Sequence, residues 1–203
     1  MNNVTFDSHQ IVPSKIVCVG MNYVEHVREL ESQMPSEPVI FLKPNSAISD
    51  NIRSADDDRF HFEAEISFIV QDENLAGVGI GFDLTKRSLQ SKLKSRGLPW
   101  EKSKAFDGAA VFSDFVVIES PLSTLSMELL INGTVVQRGG VELMIYKPEE
   151  LLHEAKSFLS LEDGDILMTG TPEGVGEFIK DDQFTGRILC EDDLLVEQIW
   201  IAE

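Results

Sequence analysis

The stretch His61-Phe62-Glu63-Ala64-Glu65-Ile66-Ser67-Phe68-Ile69-Val70 constrains the fold of this chain most. Side chains on a strand alternate faces, so Glu63, Glu65, Ser67 and Ile69 share one face while Phe62, Ala64, Ile66, Phe68 and Val70 share the other. The second set is a core face. The first carries two neighbouring carboxylates, which repel and, once buried, keep a proton unless a cation neutralises them. A hard divalent metal is the natural partner of such a pair. The plainer reading leaves both glutamates in water on the wet face of an antiparallel sheet. The motifs around the stretch decide between the two.

The chain is long enough to support a burial-rich core. Its 203 residues, 42% hydrophobic and 26% charged, read as one globular domain spanning 1–203. Seventeen Lys and Arg against 35 Asp and Glu give a net charge of -18, which argues against nucleic acid or an anionic membrane as partner. No apolar run at the N-terminus has signal-peptide length and none elsewhere spans a bilayer, so the expected location is cytoplasmic. Cys18 and Cys190 sit among apolar neighbours and read as reduced thiols rather than a disulfide or a metal site.

In chain order, Ile16 to Val19 reads as a buried strand entering Gly20, followed by a helix over 21–30. On that helix His26 and Glu29 lie three apart, where the carboxylate can hold the imidazole in one tautomer and raise its basicity. The same spacing also describes a surface contact worth roughly a few tenths of a kcal/mol. Val39 to Leu42 is a further strand, and the polar stretch 45–60 is a loop, of which Asn45 to Arg59 is suited to act as a lid. Gly77 to Phe82 is a buried strand whose glycines admit another backbone. A helix then opens at Asp83-Leu84-Thr85, capped by Asp83 or Thr85, and stops at Gly97 near Arg96. Lys92, Lys94 and Arg96 fit a solvated face of it. Arg87 and Lys104 are the better readers of an anionic substrate.

Phe112 to Ile118 and Met127 to Arg138 read as strands, the latter folded at Asn132-Gly133, a strong hairpin signal. Pro148 opens a helix with Leu151, Leu152, Ala155 and Phe158 at helical spacing, on which His153 is structural. Asp165 to Thr169 is a strand entering a Gly-rich loop. That loop lacks the Lys-Ser/Thr ending of a phosphate-binding loop, which disfavours nucleotide binding. Gln183 to Cys190 and Leu194 to Ile201 close the chain as a hairpin.

Taken in order, several of these segments resemble the fumarylacetoacetate hydrolase family, in particular its small single-domain branch of acylpyruvate hydrolases and oxaloacetate decarboxylases. They are Val19-Gly20-Met21-Asn22-Tyr23 with His26-Val27-Arg28-Glu29, Phe41-Leu42-Lys43-Pro44, His61-Phe62-Glu63-Ala64-Glu65 and Asp83-Leu84-Thr85. Gly97-Leu98-Pro99-Trp100 with Lys104, and Leu167 to Gly176, complete the set. The resemblance implies an α+β, mostly β fold: a mixed β-sandwich roll with a few short helices, commonly a homodimer. It implies that Glu63, Glu65 and Asp83 hold Mg2+ or Mn2+, or another divalent ion. It further implies that His26 and Glu29 form a catalytic dyad, that Lys104 lies beside the reacting carbonyl, and that Arg87, Gln90, Gly170 and Thr171 hold the substrate. Met21, where some relatives carry Arg, and Phe62, where many carry His, depart from the pattern. Neither removes a metal ligand.

The reaction these expectations describe is cleavage of a 2,4-diketo acid, an acylpyruvate, to pyruvate and a carboxylic acid. Oxaloacetate decarboxylation and isomerisation or decarboxylation of longer diacids are the alternatives. A protein of another class, a catalytically weak binder of metal or ligand, would need no His26, Glu29 and Lys104 trio.

Overall fold

The computed structural model describes residues 1–54 and 60–203. Part of the expected lid, residues 55–59, lies outside the described residues. Among the described residues the architecture is mostly β with three α-helices, as expected. A curled mixed sheet runs in the order Val116–Val117, Asn74–Asp83, Ala64–Gln71, Ile166–Met168, Lys15–Gly20 and Val39–Pro44, with Ala110–Phe112 also pairing Asn74–Asp83. An antiparallel four-stranded sheet, Thr134–Gly140, Leu125–Ile131, Gln183–Cys190 and Asp193–Ile201, packs against it. A short three-stranded sheet of Gly176–Glu177, Phe60–Phe62 and Thr85–Lys86 bridges the two. No helix among the described residues is long and apolar enough to cross a membrane.

The period-two pattern of the opening stretch sets the layers. Ala64, Ile66, Phe68 and Val70 point into the larger core with Phe82, Phe184 and Trp200. Ile69, on the opposite face, joins a second core with Ile16, Cys18, Ile166 and Met168. Both faces are therefore dry, and the half-solvated reading of this strand fails. The expected continuous strand is also broken: Glu63 sits between Phe60–Phe62 and Ala64–Gln71, where the chain passes from the small sheet to the large one. Glu63 thus leaves both ladders at a junction, and its side chain is freed for the site.

Opposite Glu65, Ser67 and Ile69 stand Gly81, Gly79 and Gly77. A Cβ at Gly77 would lie 2.6 Å from the Phe6 ring and one at Gly81 2.7 Å from Phe112. The glycines admit aromatic rings of the second core, where a backbone approach was expected.

The turns follow the sequence closely. Asn132 and Gly133 both have positive φ, 50° and 79°, as the two-residue hairpin requires. Asp72 and Glu73 do the same, at 49° and 64°, between Ala64–Gln71 and Asn74–Asp83. Pro148 begins the helix Pro148–Phe158, and Glu150 reaches back to accept from the Lys147 N–H at 2.8 Å. The expected strand Phe112 to Ile118 is instead two short strands, Ala110–Phe112 and Val116–Val117. Cys18 and Cys190 are free thiols.

One helix start differs from expectation. Asp83 ends a strand, Thr85–Lys86 pairs with Phe60–His61, and the helix is Arg87–Lys94 without a side-chain cap. The reason is competition: the Asp83 carboxylate is taken by Lys104, and the Thr85 hydroxyl donates to the Asp83 carbonyl at 3.3 Å.

Candidate metal centre and active site

Glu63, Glu65 and Asp83 come from three positions that the fold forces together: a junction between sheets, the second residue of the strand Ala64–Gln71, and the end of its hairpin partner Asn74–Asp83. One oxygen of each lies within 4.8 Å of the others, and all three residues are buried, at 6%, 1% and 1% exposure. Lys104 donates to Glu63 Oε2 at 2.7 Å and to Asp83 Oδ2 at 2.5 Å. Arg87 donates to Glu63 Oε1 at 2.5 Å and to Gln90 Oε1 at 3.0 Å. Glu65 has no cationic partner among the described residues; its Oε2 accepts from the Gly170 N–H at 2.7 Å.

The electrostatics follow from this unequal supply. Burial pushes against ionisation of Glu63, yet Lys104 and Arg87 hold its carboxyl down at about 2. Burial and the charges of Asp83 and Glu63 push Glu65 well above the usual carboxylate range, against the Gly170 bond and Lys104. Burial works against the charged form of Lys104 too, but Asp83 and Glu63 raise its pKa. Asp83 Oδ1 is buried with no hydrogen bond, the Lys43 ammonium lying 2.8 Å away without the alignment of one. An unaccompanied carboxylate and an orphaned carboxylate oxygen facing it fit a divalent cation bound by oxygen donors.

His26 lies on the helix Val24–Glu29, which follows Lys15–Gly20 after a turn through Met21 at φ 57°. It is buried, and its Nδ1 pairs with Glu29 Oε2 at 3.0 Å. Glu29 Oε1 in turn accepts from the Gly174 N–H at 3.0 Å. The spacing read from sequence is thus a fixed dyad rather than a surface contact. His26, Glu63, Arg87, Gln90 and Lys104 all line one cavity of about 40 Å³, with Phe41 and Trp100 on its wall.

Gly170 and Thr171 are not among the lining residues. Gly170 turns at φ 97°, and a Cβ there would lie 2.8 Å from that of Asn22, so glycine is required for its N–H to reach Glu65. The Thr171 hydroxyl donates to the Ala64 carbonyl at 2.9 Å and accepts from Gln137 at 2.8 Å. In this arrangement both residues brace the carboxylate strand. Asn22, wholly buried, ties the same loop down by donating to the Thr169 carbonyl at 2.8 Å.

Two residues of the site escaped the sequence reading. Lys43 is fully buried at the triad, and its ammonium also donates to the Lys104 carbonyl. The signal was its shared strand face with Phe41, which the apolar run before it obscured. Lys94 is exposed, as the helix pattern reads it, and also lines the cavity, with its ammonium 5.1 Å from the centre of the Trp100 ring.

Residues 15–197 match the family model of the fumarylacetoacetate hydrolase C-terminal domain. The oxaloacetate tautomerase YcgM of Escherichia coli is 37% identical over 191 residues, covering 85% of this chain and 87% of that protein. A mitochondrial oxaloacetate tautomerase of Schizosaccharomyces pombe, oaa1, is 33% identical, covering 88% and 90%. Among solved structures, the fumarylpyruvate hydrolase of Pseudomonas aeruginosa in complex with Mn2+ and pyruvate superposes with a TM-score of 0.89 at 26% identity, covering 99% of this chain and 95% of that one. The chain belongs to the fumarylacetoacetate hydrolase family.

Proposed function

We propose that this protein is a divalent-metal-dependent enzyme that moves a proton at C3 of a 2-keto acid, with oxaloacetate tautomerisation as its first reaction. The observation that carries this reading is the buried His26, held by Glu29, on the same cavity as Glu63 of the carboxylate triad. The names of the relatives similar along most of the chain support the substrate. Tautomerisation was not among the reactions expected from sequence; it needs the same base as those that were.

Glu63, Glu65 and Asp83 would hold the metal, Mg2+ or Mn2+. When bound, it supplies Lewis-acid polarisation of the keto oxygen. With Nδ1–H donating to Glu29, His26 presents the lone pair of Nε2 to the cavity, the form required of a general base. His26 takes a proton from C3, and the charge that builds on the C2 oxygen meets the Lys104 ammonium. Delivery of a proton to that oxygen gives the enol with unchanged composition. Glu29, fixed by Gly174, keeps the imidazole aimed. Arg87 and Gln90 orient the acid.

A second reading, hydrolysis of an acylpyruvate, is favoured by the likeness to a fumarylpyruvate hydrolase. There His26 takes its proton from water, hydroxide adds to the distal carbonyl, and the C3–C4 bond breaks to give pyruvate and a carboxylic acid. The discriminating experiment follows keto–enol interconversion of oxaloacetate and pyruvate release from acetylpyruvate on Mg2+-loaded protein, with His26→Ala as control. Faster interconversion, lost in the control, is the expected result. Faster pyruvate release establishes the hydrolase, and activity undiminished in His26→Ala overturns the dyad.

A further inference from the structure

Three cationic side chains from the stretch 87–104 line the cavity, and two of them are already committed. Arg87 is bound to Glu63 and Gln90, and Lys104 to Glu63 and Asp83. Lys94 has no carboxylate partner among the described residues and sits against the Trp100 ring. Lys94 is exposed at the cavity, with no acid beside it in a chain of 35 acidic and 17 basic residues. Partial burial, together with the charges of Lys104 and Arg87, lowers the Lys94 pKa from its ordinary value despite Glu63 nearby.

The placement is built by the helix. Arg87, Gln90 and Lys94 stand at i, i+3 and i+7 of Arg87–Lys94, which puts all three on one face. Trp100 and Phe41, whose ring centroids are 5.1 Å apart, continue the wall from Lys94 back to Lys104, whose ammonium lies 5.3 Å from the Phe41 ring. The cavity thus has an apolar wall, with Glu63 and Lys104 beside one part of it and Lys94, without an acid partner among the described residues, beside another. Apolar walls exclude water and so strengthen an ion pair formed between them.

We propose that Lys94 is the specificity-determining residue for a second, distal carboxylate, so that the substrates are dianionic 2-keto acids rather than monoanionic ones. This rests on the 2-keto acid reading above and deepens it. The distal carboxylate supplies the missing counter-charge, and a methyl group in its place leaves Lys94 unpaired at the cavity.

The test compares oxaloacetate with 2-oxobutyrate, which replaces the distal carboxylate by methyl, through solvent deuterium exchange at C3 on Mg2+-loaded wild type, Lys94→Met and Lys94→Arg. If hydrolysis proves to be the reaction, fumarylpyruvate and acetylpyruvate form the corresponding pair. The expected result is a fall of about tenfold in the dianion-to-monoanion ratio of kcat/KM in Lys94→Met, carried by KM, with the ratio restored in Lys94→Arg. A ratio within twofold of wild type in Lys94→Met, or an equal loss on both acids, overturns the proposal. Calorimetric binding of L-malate against L-lactate separates the two layers of inference. If no 2-keto acid reacts, the enzymatic reading fails, while a malate preference lost in Lys94→Met still upholds the role of Lys94 and its absence rejects it.

Discussion

Two buried carboxylate regions flank the same short strand, Ile166–Met168, and behave in opposite ways. Asp165, just before the strand, is fully buried and accepts from five donors: the Ser14 N–H and hydroxyl, the Lys15 N–H and ammonium, and the Glu162 N–H. Burial opposes its charge, but these bonds bring its pKa below the ordinary 3.8. Just after the strand, the Gly170 N–H is the one hydrogen-bond donor to Glu65 among the described residues, and Glu65 is pushed the other way by burial and by Asp83. A carboxylate rich in donors fastens the start of the strand Lys15–Gly20 beside Ile166–Met168. One kept short of them is held ready for a cation.

That contrast predicts opposite phenotypes. Glu65→Gln removes one of three repelling charges while keeping the shape, so turnover should fall by about 10³-fold or more as metal affinity is lost, with the melting temperature unchanged or higher. Steady-state rates and thermal melts of the metal-free variant check both halves, and lost stability together with retained activity would reverse the assignment. His26→Ala should cost about 10²- to 10⁴-fold in turnover with metal affinity kept, as read by calorimetric titration.

Asp165→Asn should do the reverse of Glu65→Gln. It is expected to lose roughly 2–4 kcal/mol of stability in denaturant melts, because it upsets a buried ionic network, while activity per folded molecule is kept. Its pH dependence is fixed by sign. The folded-state pKa is depressed, so the Asp165 contribution is complete above 3.8 and is lost as pH falls through the lower folded value. The stability gap between wild type and Asp165→Asn should therefore narrow in that acid range and hold steady above it.

The smallest effect is expected on the outer face of the four-stranded sheet. There Arg138, Glu128, Arg187 and Glu197 form a charge ladder with contacts of 2.9, 3.6 and 2.7 Å. Solvent screens such pairs, so Glu197→Gln should shift stability by less than about 1 kcal/mol, and less still in high salt.

Where local rules act alone, the sequence was readable. The alternation of 61–70 named the core face, Asn132-Gly133 the hairpin, and the three-residue spacing of His26 and Glu29 their contact. Where tertiary partners compete, it was not. Asp83 has the identity of a helix cap but is claimed by Lys104, so the helix begins four residues later at Arg87. Glu63 interrupts a strand that its neighbours' alternation reads as continuous. Lys94 shares a helix with solvated lysines, and only the packing of Trp100 shows that it lies at the cavity. Gly170 acts through its backbone N–H and Thr171 by bonding a backbone carbonyl, neither of which a side-chain pattern records.

The central claim is that the cluster around the donor-poor Glu65 is a metal centre. It is tested most directly by thermal unfolding of the metal-stripped protein with and without Mn2+, in wild type, Asp165→Asn and Glu65→Gln. The account predicts a rise in melting temperature with Mn2+ in the first two and little or none in Glu65→Gln. An equal rise in all three would place the cation elsewhere and contradict it.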